Sequence, residues 1–494
     1  MKATYKLMIF AILLSSVSFA QQNNTSTYKK RVLDNTEAEF LTSYYNQDGS
    51  NASVTGGIGS EKLNDFTPTV VVSVPLNDDD VLTIDAGIST YSSASSSNLN
   101  PFDRTIKVPK SSTTVITSAS KGTTKTITKY AKVSSPTPWA ASSGASRADI
   151  WGNITGSYAH SSNSRNTIWD ADLSLSHEFD YNSLGLGVGL TQLLNDKNTT
   201  LGLSANVYLD KWNPKYPTEL HWYLLGNKSL NSNYFQGVPI YNQNGTEIDK
   251  TGNTTTVWNP LNYSFIQNTS RNSYSASFSF SQILNKNAQF SIFFDVVKQQ
   301  GWLSNPMQRV YFGDVENFYI GNPATIPNYT SRSNNDVFQL ADDMERLPSS
   351  RLKLPIGMNF NYYLNETFVL RTYYRYYTDD WGIKSNTANI EIPIKISPKW
   401  TVYPSYRYYD QTAADYFAPY EQNLSTSKYY TSDYDLSKFN SNQYGFGFGY
   451  TDVFASWHLW GLGLKNIDLK YYNYKRSTGL NASIITAGIK FILD

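Results

Sequence analysis

The chain contains no cysteine. Disulfides, thiolate metal sites, a cysteine nucleophile and a lipid anchor on cysteine are therefore excluded. Histidine is nearly as scarce. His160, His177, His221 and His458 are the four present, which argues against a histidine metal cluster. Charge of one sign is missing too: 41 Lys+Arg against 40 Asp+Glu leave a net charge of +1. That balance gives no overall electrostatic footprint for nucleic acid. Charged residues make up 16% of the 494 residues, below the roughly 25% of an ordinary soluble domain. Beyond the N-terminus no segment offers the roughly 18 consecutive apolar residues of a spanning helix, and the mean hydropathy is −0.43.

What the chain does have is aromatic residues, at 15%, with 38 Tyr, 24 Phe and 11 Trp. It also has an N-terminal export pattern. Lys2 and Lys6 precede an apolar run from Leu7 to Leu14, and Ser18-Phe19-Ala20 supplies small residues at the −3 and −1 positions. This pattern predicts a signal peptide over 1–20, cleaved after Ala20. The apolar core is too short for an anchor helix. A polar periplasmic lead-in is expected over 21–36, followed by a single domain over 37–494.

That domain alternates with period two. Leu352, Leu354, Ile356, Met358, Phe360 and Tyr362 share one strand face, opposite Arg351, Lys353, Pro355, Gly357, Asn359 and Asn361. Ile390, Ile392, Ile394 and Ile396 oppose Asn389, Glu391, Pro393 and Lys395. Such alternation means strands with one apolar and one polar face. Strands are expected over 37–47, 67–76, 81–91, 147–160, 165–178, 182–194, 198–210, 271–284, 287–300, 351–363, 366–378, 384–396, 399–410, 441–453, 465–476 and 480–493. Threaded up and down, they put every short polar turn on one side. The long, irregular stretches 48–66, 92–146, 211–270, 301–350 and 411–440 fall on the other, and both termini lie on the short-turn side. The fold class predicted is all-β: a transmembrane antiparallel up-and-down β-barrel of about sixteen strands, with short periplasmic turns and long external loops.

Two further features favour a barrel in lipid over a soluble sandwich. Tyrosines crowd strand ends, as in Tyr373-Tyr374-Arg375-Tyr376-Tyr377 and Tyr406-Arg407-Tyr408-Tyr409, where girdles of amphipathic rings sit at the headgroup level. The C-terminal Thr486-Ala487-Gly488-Ile489-Lys490-Phe491-Ile492-Leu493-Asp494 is similar to the last-strand signal read by the barrel-assembly machinery. It departs from that signal in ending on Leu and Asp rather than an aromatic. In lipid an open sheet edge leaves N–H and C=O groups unpaired, so the sheet must close. The partners this implies are the lipid bilayer of the bacterial outer membrane and the assembly machinery.

Several long motifs carry a family resemblance. They include Val54-Thr55-Gly56-Gly57-Ile58-Gly59, Pro75-Leu76-Asn77-Asp78-Asp79-Asp80, Gln308-Arg309-Val310-Tyr311-Phe312, Glu345-Arg346-Leu347-Pro348 and Gln411-Thr412-Ala413-Ala414-Asp415-Tyr416. On these motifs nearly all of the mature chain resembles a family of bacterial export proteins catalogued as domain of unknown function 3570. The resemblance implies an outer-membrane location and no established activity. It also implies a link to envelope redox traffic, because genes of the family lie beside those of thioredoxin-like proteins and flavin transferases.

Strand faces give the candidate site. An Arg on the lipid face at mid-depth costs roughly 2–4 kcal/mol, so charged residues on the strands should point into the lumen. This predicts a basic wall of Arg351, Lys353, Arg371, Arg375, Lys395 and Arg407, with Glu391 among them. It predicts an acidic wall of Asp85, Asp170, Asp172, Asp210 and Asp295. Such a transverse field would orient a permeating polar solute and set ion selectivity. The same charges could instead pair across the lumen and close it. A porin-like channel for small polar solutes or ions is thus one reading. A closed barrel acting as receptor or scaffold for an envelope partner is the other, with Tyr416-Phe417-Ala418-Pro419-Tyr420 in the loop 411–440 as its contact surface.

Enzyme signals are weak. Asp78-Asp79-Asp80 sits in a turn, where Asn and Asp are simply good turn residues. No Gly-x-Ser-x-Gly elbow has a suitable context. His177 falls on the lipid-side register and His458 in a turn. No catalytic residue, metal site or cofactor is expected.

Overall fold

The computed structural model describes residues 31–95, 149–214, 216–252, 256–260, 264–266, 269–329 and 337–493, with four short strands between 107 and 132. The predicted signal peptide, most of the lead-in and most of the stretch 92–146 lie outside the described residues.

Sixteen strands close into one antiparallel barrel. They are β1 (Glu37–Asp48), β2 (Glu61–Pro75), β3 (Asp80–Ser95), β4 (Asp149–Ser161), β5 (Thr167–Glu178), β6 (Tyr181–Leu194), β7 (Thr199–Trp212) and β8 (Arg271–Asn285). Then follow β9 (Ala288–Gly301), β10 (Ser350–Tyr363), β11 (Val369–Asp379), β12 (Lys384–Glu391), β13 (Trp400–Gln411), β14 (Phe439–Thr451), β15 (Leu462–Arg476) and β16 (Asn481–Leu493). Each pairs with the next in sequence. β16 closes the ring on β1, with Ala38 opposite Phe491 and Asn46 opposite Ser483. The rings of Phe40 and Phe491 meet edge to face at the seam, 6.2 Å apart.

The outer face is apolar and open to the surroundings: Phe40, Val70, Ile84, Leu173, Leu186, Val188, Leu203, Phe278, Ile356, Phe446 and Leu469 are all exposed. A closed sheet with such a belt has every ladder bond satisfied internally, the condition for spanning lipid. Aromatics mark both ends of the belt. Trp169, Tyr362 and Trp400 lie at the short-turn end, and Tyr44, Tyr374, Tyr406 and Tyr444 toward the other. The protein is a transmembrane antiparallel β-barrel.

Two strands differ most from the sequence expectation. β2 begins at Glu61 rather than 67. Its first residues, Glu61-Lys62-Leu63-Asn64-Asp65, rise toward the long-loop end, where no apolar outer stripe is needed, so they carry no hydrophobic periodicity. They are held instead by ladders to both β1 and β3. The strand expected over 384–396 stops at Glu391 and resumes only at Ile394–Lys395. Pro393 lacks an N–H and cannot continue the ladder.

Short polar turns hold the near end. Asn77 Oδ1 accepts the Asp79 and Asp80 N–H groups at 2.8 and 3.0 Å. Asp78 pairs with Arg31, Asp79 with Arg165 and Asp80 with His160. The three adjacent acids therefore serve three separate partners.

Three of the long stretches expected to be irregular carry secondary structure. Residues 213–270, 302–349 and 412–438 contain helix α1 (Thr218–Leu225), a three-stranded sheet of Tyr241–Asn242, Phe318–Gly321 and Val337–Gln339, and a pair formed by Arg309–Val310 and Asp343–Met344. They pack around Leu220, Phe235, Ile240, Trp258, Ile320 and Leu340, each almost fully buried. The hydrophobic core of this protein therefore lies in a cap over the barrel mouth, because the barrel's own apolar residues face outward.

Candidate functional site

Ladder register gives each candidate residue its side of the sheet. Asp85, Asp170, Asp172, Asp210 and Asp295 alternate with the exposed aliphatic residues of β3, β5, β7 and β9, on the concave face. Arg351 and Lys353 of β10, Arg371 and Arg375 of β11 and Arg407 of β13 do the same. Lys395 lies opposite Thr401. The acids sit on the strands before β10 and the bases from β10 onward.

Pairing divides the basic group. The Arg351 Nε donates to Asp379 Oδ2 at 2.9 Å, and its guanidinium covers the Trp381 ring at 4.3 Å. Arg371 Nη1 donates to Glu391 Oε1 at 2.9 Å, and Lys470 shares the same carboxylate at 3.3 Å. Asp379 and Lys470 were not among the candidates. Arg375 and Arg407 have no carboxylate partner among the described residues, and the Arg375 Nε is buried with no hydrogen bond.

Two strands are lined inward by glycine over their middle residues. Gly185, Gly187 and Gly189 of β6 face Tyr208, Asp172 and Asp170, whose side chains lie where Cβ atoms would be. Gly445, Gly447 and Gly449 of β14 leave room for Ser405, Tyr472, Tyr403 and Lys470 in the same way. The Lys470 ammonium sits over the Tyr403 ring at 5.1 Å. The signal for these floors is in the sequence as Gly-Leu-Gly-Val-Gly and Gly-Phe-Gly-Phe-Gly. It is a period-two pattern of the smallest residue rather than of charge.

Cavities line the concave face from the cap downward. One of 740 Å³ lies under the cap against β1, β2 and β13 to β16, touching Tyr45, Tyr409, Arg407, Gln443 and Arg476. A second, of 600 Å³, shares Arg407, Gln443 and Ile484 with it and adds Arg375, Asn389 and Tyr472. A third, of 640 Å³, shares Tyr472 and reaches Arg371, Tyr403 and Lys470. A fourth, of 330 Å³, shares Arg371 and Tyr403 and ends at Lys395 and Glu366, by the short turns.

The cap crosses the mouth above them. Met307, on the loop leaving β9, packs against Ala52 and Val54 on the loop leaving β1, half the ring away. Arg309 Nη1 donates to the Val54 carbonyl at 2.8 Å. Asn305 lines both the 740 Å³ cavity and a separate one of 350 Å³ beside Arg271, Arg351 and Lys353. Cap carboxyls are buried: Glu345 accepts from the Asn305 N–H at 2.7 Å and the Thr431 hydroxyl at 2.5 Å. Burial pushes Glu345 up to about 8, reinforced by Asp433, and pushes Asp433 up to about 7, reinforced by Asp435.

The tyrosine-rich loop 411–440 differs from its expected role as an exposed contact surface. Tyr420 packs on Tyr311 with ring centres 5.2 Å apart and donates to Gln339. Tyr416 meets the Trp381 ring edge-on. None of Tyr416 to Tyr420 is exposed. Large rings here gain more from burial within the cap than from water.

The histidines are dispersed. His177 is exposed on the outer face against Asn182 Oδ1 at 2.8 Å, and His160 binds Asp80 at the turn end. Among the described residues no group of three or more metal-ligating side chains comes together.

No curated protein matches the chain. Among solved structures it is similar to a bacterial polysaccharide outer membrane secretin, at 9% identity and a TM-score of 0.41, covering 92% of this chain and 98% of that one. It is also similar to the outer membrane protein OpdK from Pseudomonas aeruginosa, at 7% identity and a TM-score of 0.34, covering 93% and 98%. The TodX monoaromatic hydrocarbon channel, as a deletion mutant, gives 9% identity and a TM-score of 0.36, covering 94% and 91%. The model of the family described as "Protein of unknown function (DUF3570)" matches residues 4–484, nearly the whole chain, and the protein belongs to that family.

Proposed function

We propose that this protein is a porin-like channel for small polar solutes or ions. The observation that carries the reading is the run of four cavities, each sharing lining residues with the next, from beneath the cap to the short-turn rim. Sixteen strands are enough to leave an aqueous lumen. The inward glycines of β6 and β14 widen it where long side chains would otherwise meet. The basic wall, with Arg375 and Arg407 at its centre, and the acidic wall of Asp85, Asp170, Asp172, Asp210 and Asp295 set a transverse field across the path. Interior charges of this kind tune selectivity rather than stability. Conductance of the purified protein in a planar bilayer under a salt gradient tests the proposal. Stable unitary steps with a non-zero reversal potential are expected. A silent membrane with a demonstrably folded barrel would overturn it.

One observation favours a second reading, the closed barrel serving as receptor or scaffold of an envelope complex. It is the cap, which joins loops from opposite sides of the mouth through Met307 and Arg309. On that reading the cavities are a ligand chamber rather than a path, and a partner that co-purifies with the folded barrel is the expected finding.

A further inference from the structure

A guanidinium inside a protein is held by an acceptor, because an unpaired charge away from bulk water is costly. This barrel follows the rule at most of its inward arginines. Arg351 has Asp379, Arg371 has Glu391 and Arg476 has Asp435. Arg271 lies over the Trp212 ring at 5.9 Å. Arg375, half-buried, and Arg407, exposed, have neither an acid nor a ring as partner among the described residues.

The two exceptions belong to one place. Arg375 of β11 is opposite Thr387 of β12, and Arg407 of β13 is opposite Asn389, two residues along the same strand. They flank β12 from either side, and both line the 600 Å³ cavity. The Arg375 Nε is buried and finds no acceptor, and the Thr387 hydroxyl, also buried, finds no partner either. An unpaired N–H donor and an unpaired hydroxyl therefore sit on cross-strand neighbours. The nearest inward carboxylate, Glu391, is taken by Arg371 and Lys470. Glu391 itself lines the cavity, and the rest of the wall is mostly amide and hydroxyl, from Asn389, Ser405, Gln443, Tyr373 and Tyr472, with Ile484 as its aliphatic member.

We infer that Arg375 and Arg407 form a docking site for the carboxylate of a small hydroxylated acid. The planar fork of each guanidinium matches a carboxylate through two parallel N–H bonds. The neighbouring amides and hydroxyls take the solute's hydroxyl groups. The paired Arg371 is excluded from this work by Glu391, so the site is two arginines wide. The inference rests on the channel reading for its use in transport, but not for its chemistry. A ligand chamber under a closed cap would hold the same acid.

Calorimetric titration of the full-length barrel, folded in detergent, with gluconate tests the site without requiring conductance. Gluconate binding is expected, with uncharged glucose giving none. Arg375→Gln and Arg407→Gln should each weaken gluconate by about tenfold or more, the loss of one charge-assisted pair. Lys475→Gln, exposed and outside the cavity, should change it by less than about twofold, since a solvated surface charge contributes little. Heat-modifiable gel mobility reports folding of each variant, and Arg→Lys versions keep the charge where Gln disturbs assembly. Absence of gluconate binding to the wild type overturns the inference. So does equal binding of glucose, or unchanged affinity in the folded Arg375/Arg407 variants. Gluconate binding to a barrel that conducts nothing would instead sink the channel reading and leave the site standing.

Discussion

Arg309 and Glu219 form an ion pair from which solvent is wholly excluded. Arg309 Nε donates to Glu219 Oε1 at 2.6 Å and its Nη2 to Oε2 at 3.0 Å, and both side chains are 0% exposed. The pair ties helix α1, on the loop after β7, to the loop after β9. Through the Val54 carbonyl it also ties both to the loop after β1. One side chain thus joins three loops of the cap.

Breaking that pair from one side should loosen the cap and spare the barrel. Glu219→Gln leaves a buried unpaired guanidinium, a loss of about 3–5 kcal/mol. Added protease should then cut the cap loops, while unheated barrel mobility on a gel stays unchanged. The double change Glu219→Leu with Arg309→Met should restore much of the protection, because a desolvated pair and an apolar pair differ little. Equal protease resistance in wild type and Glu219→Gln would refute the account.

Cap stability should fall as pH rises. Glu345 and Asp433 titrate at about 8 and about 7 in the folded cap, above the carboxylate range of the open loops. A raised folded value means that the folded cap binds protons more tightly. Its stabilisation is complete below the ordinary carboxylate value near 4 and is lost as pH passes through about 7 to 8. The groups facing Glu345 are the Asn305 N–H, the Thr431 hydroxyl, Asp433 and Arg271. Protease sensitivity of the cap loops should therefore rise between about pH 4 and about pH 8, the span of the two shifts. In Glu345→Gln the rise should be visibly smaller. A flat profile in the wild type would count against the buried carboxyls as a cap latch.

Charge reversal tests the walls. Arg371, Arg375 and Arg407→Glu together should move the reversal potential toward cation preference in a salt gradient. Exposed surface charges far from the path, such as Lys475, should leave it in place when replaced by Glu. No shift in a conducting triple variant would show that the wall does not see the permeating ions.

The glycine floors test the path. Gly447→Leu places a branched side chain where the Lys470 stem and the Tyr403 ring now lie, 2.9 and 3.3 Å from an added Cβ. Single-channel conductance should drop, with the heat-modifiable mobility retained. Gly152→Leu, on the outer face with nothing near its Cβ, should leave conductance unchanged. If both behave alike, the inward glycines do not define the path.

The alternation of apolar and polar residues determined the barrel. Lipid on one side and water on the other fix the character of successive side chains, and that rule is local, so it is written residue by residue along β10 or β7. Turn positions followed from the same patterning, because Asn and Asp at 77–80 or 195–198 satisfy the chain within a few residues. The strand break at Pro393 was legible in principle, since a missing N–H is a local fact. The upper half of β2 was not, because outside the hydrocarbon only ladder partners hold it.

Tertiary structure alone decided what fills the mouth and which arginines are committed. Arg309 meets Glu219 ninety residues away, and Met307 meets Val54 from across the ring. No spacing in the chain announces such contacts, because they depend on where closure of sixteen strands places the loops. The same holds for the basic wall. Arg371 and Arg375 are alike in the sequence, four residues apart on one face. Only the register of β11 against β12 sets Arg371 opposite Glu391 and Arg375 opposite Thr387. One guanidinium is thereby neutralised and the other is left for a solute.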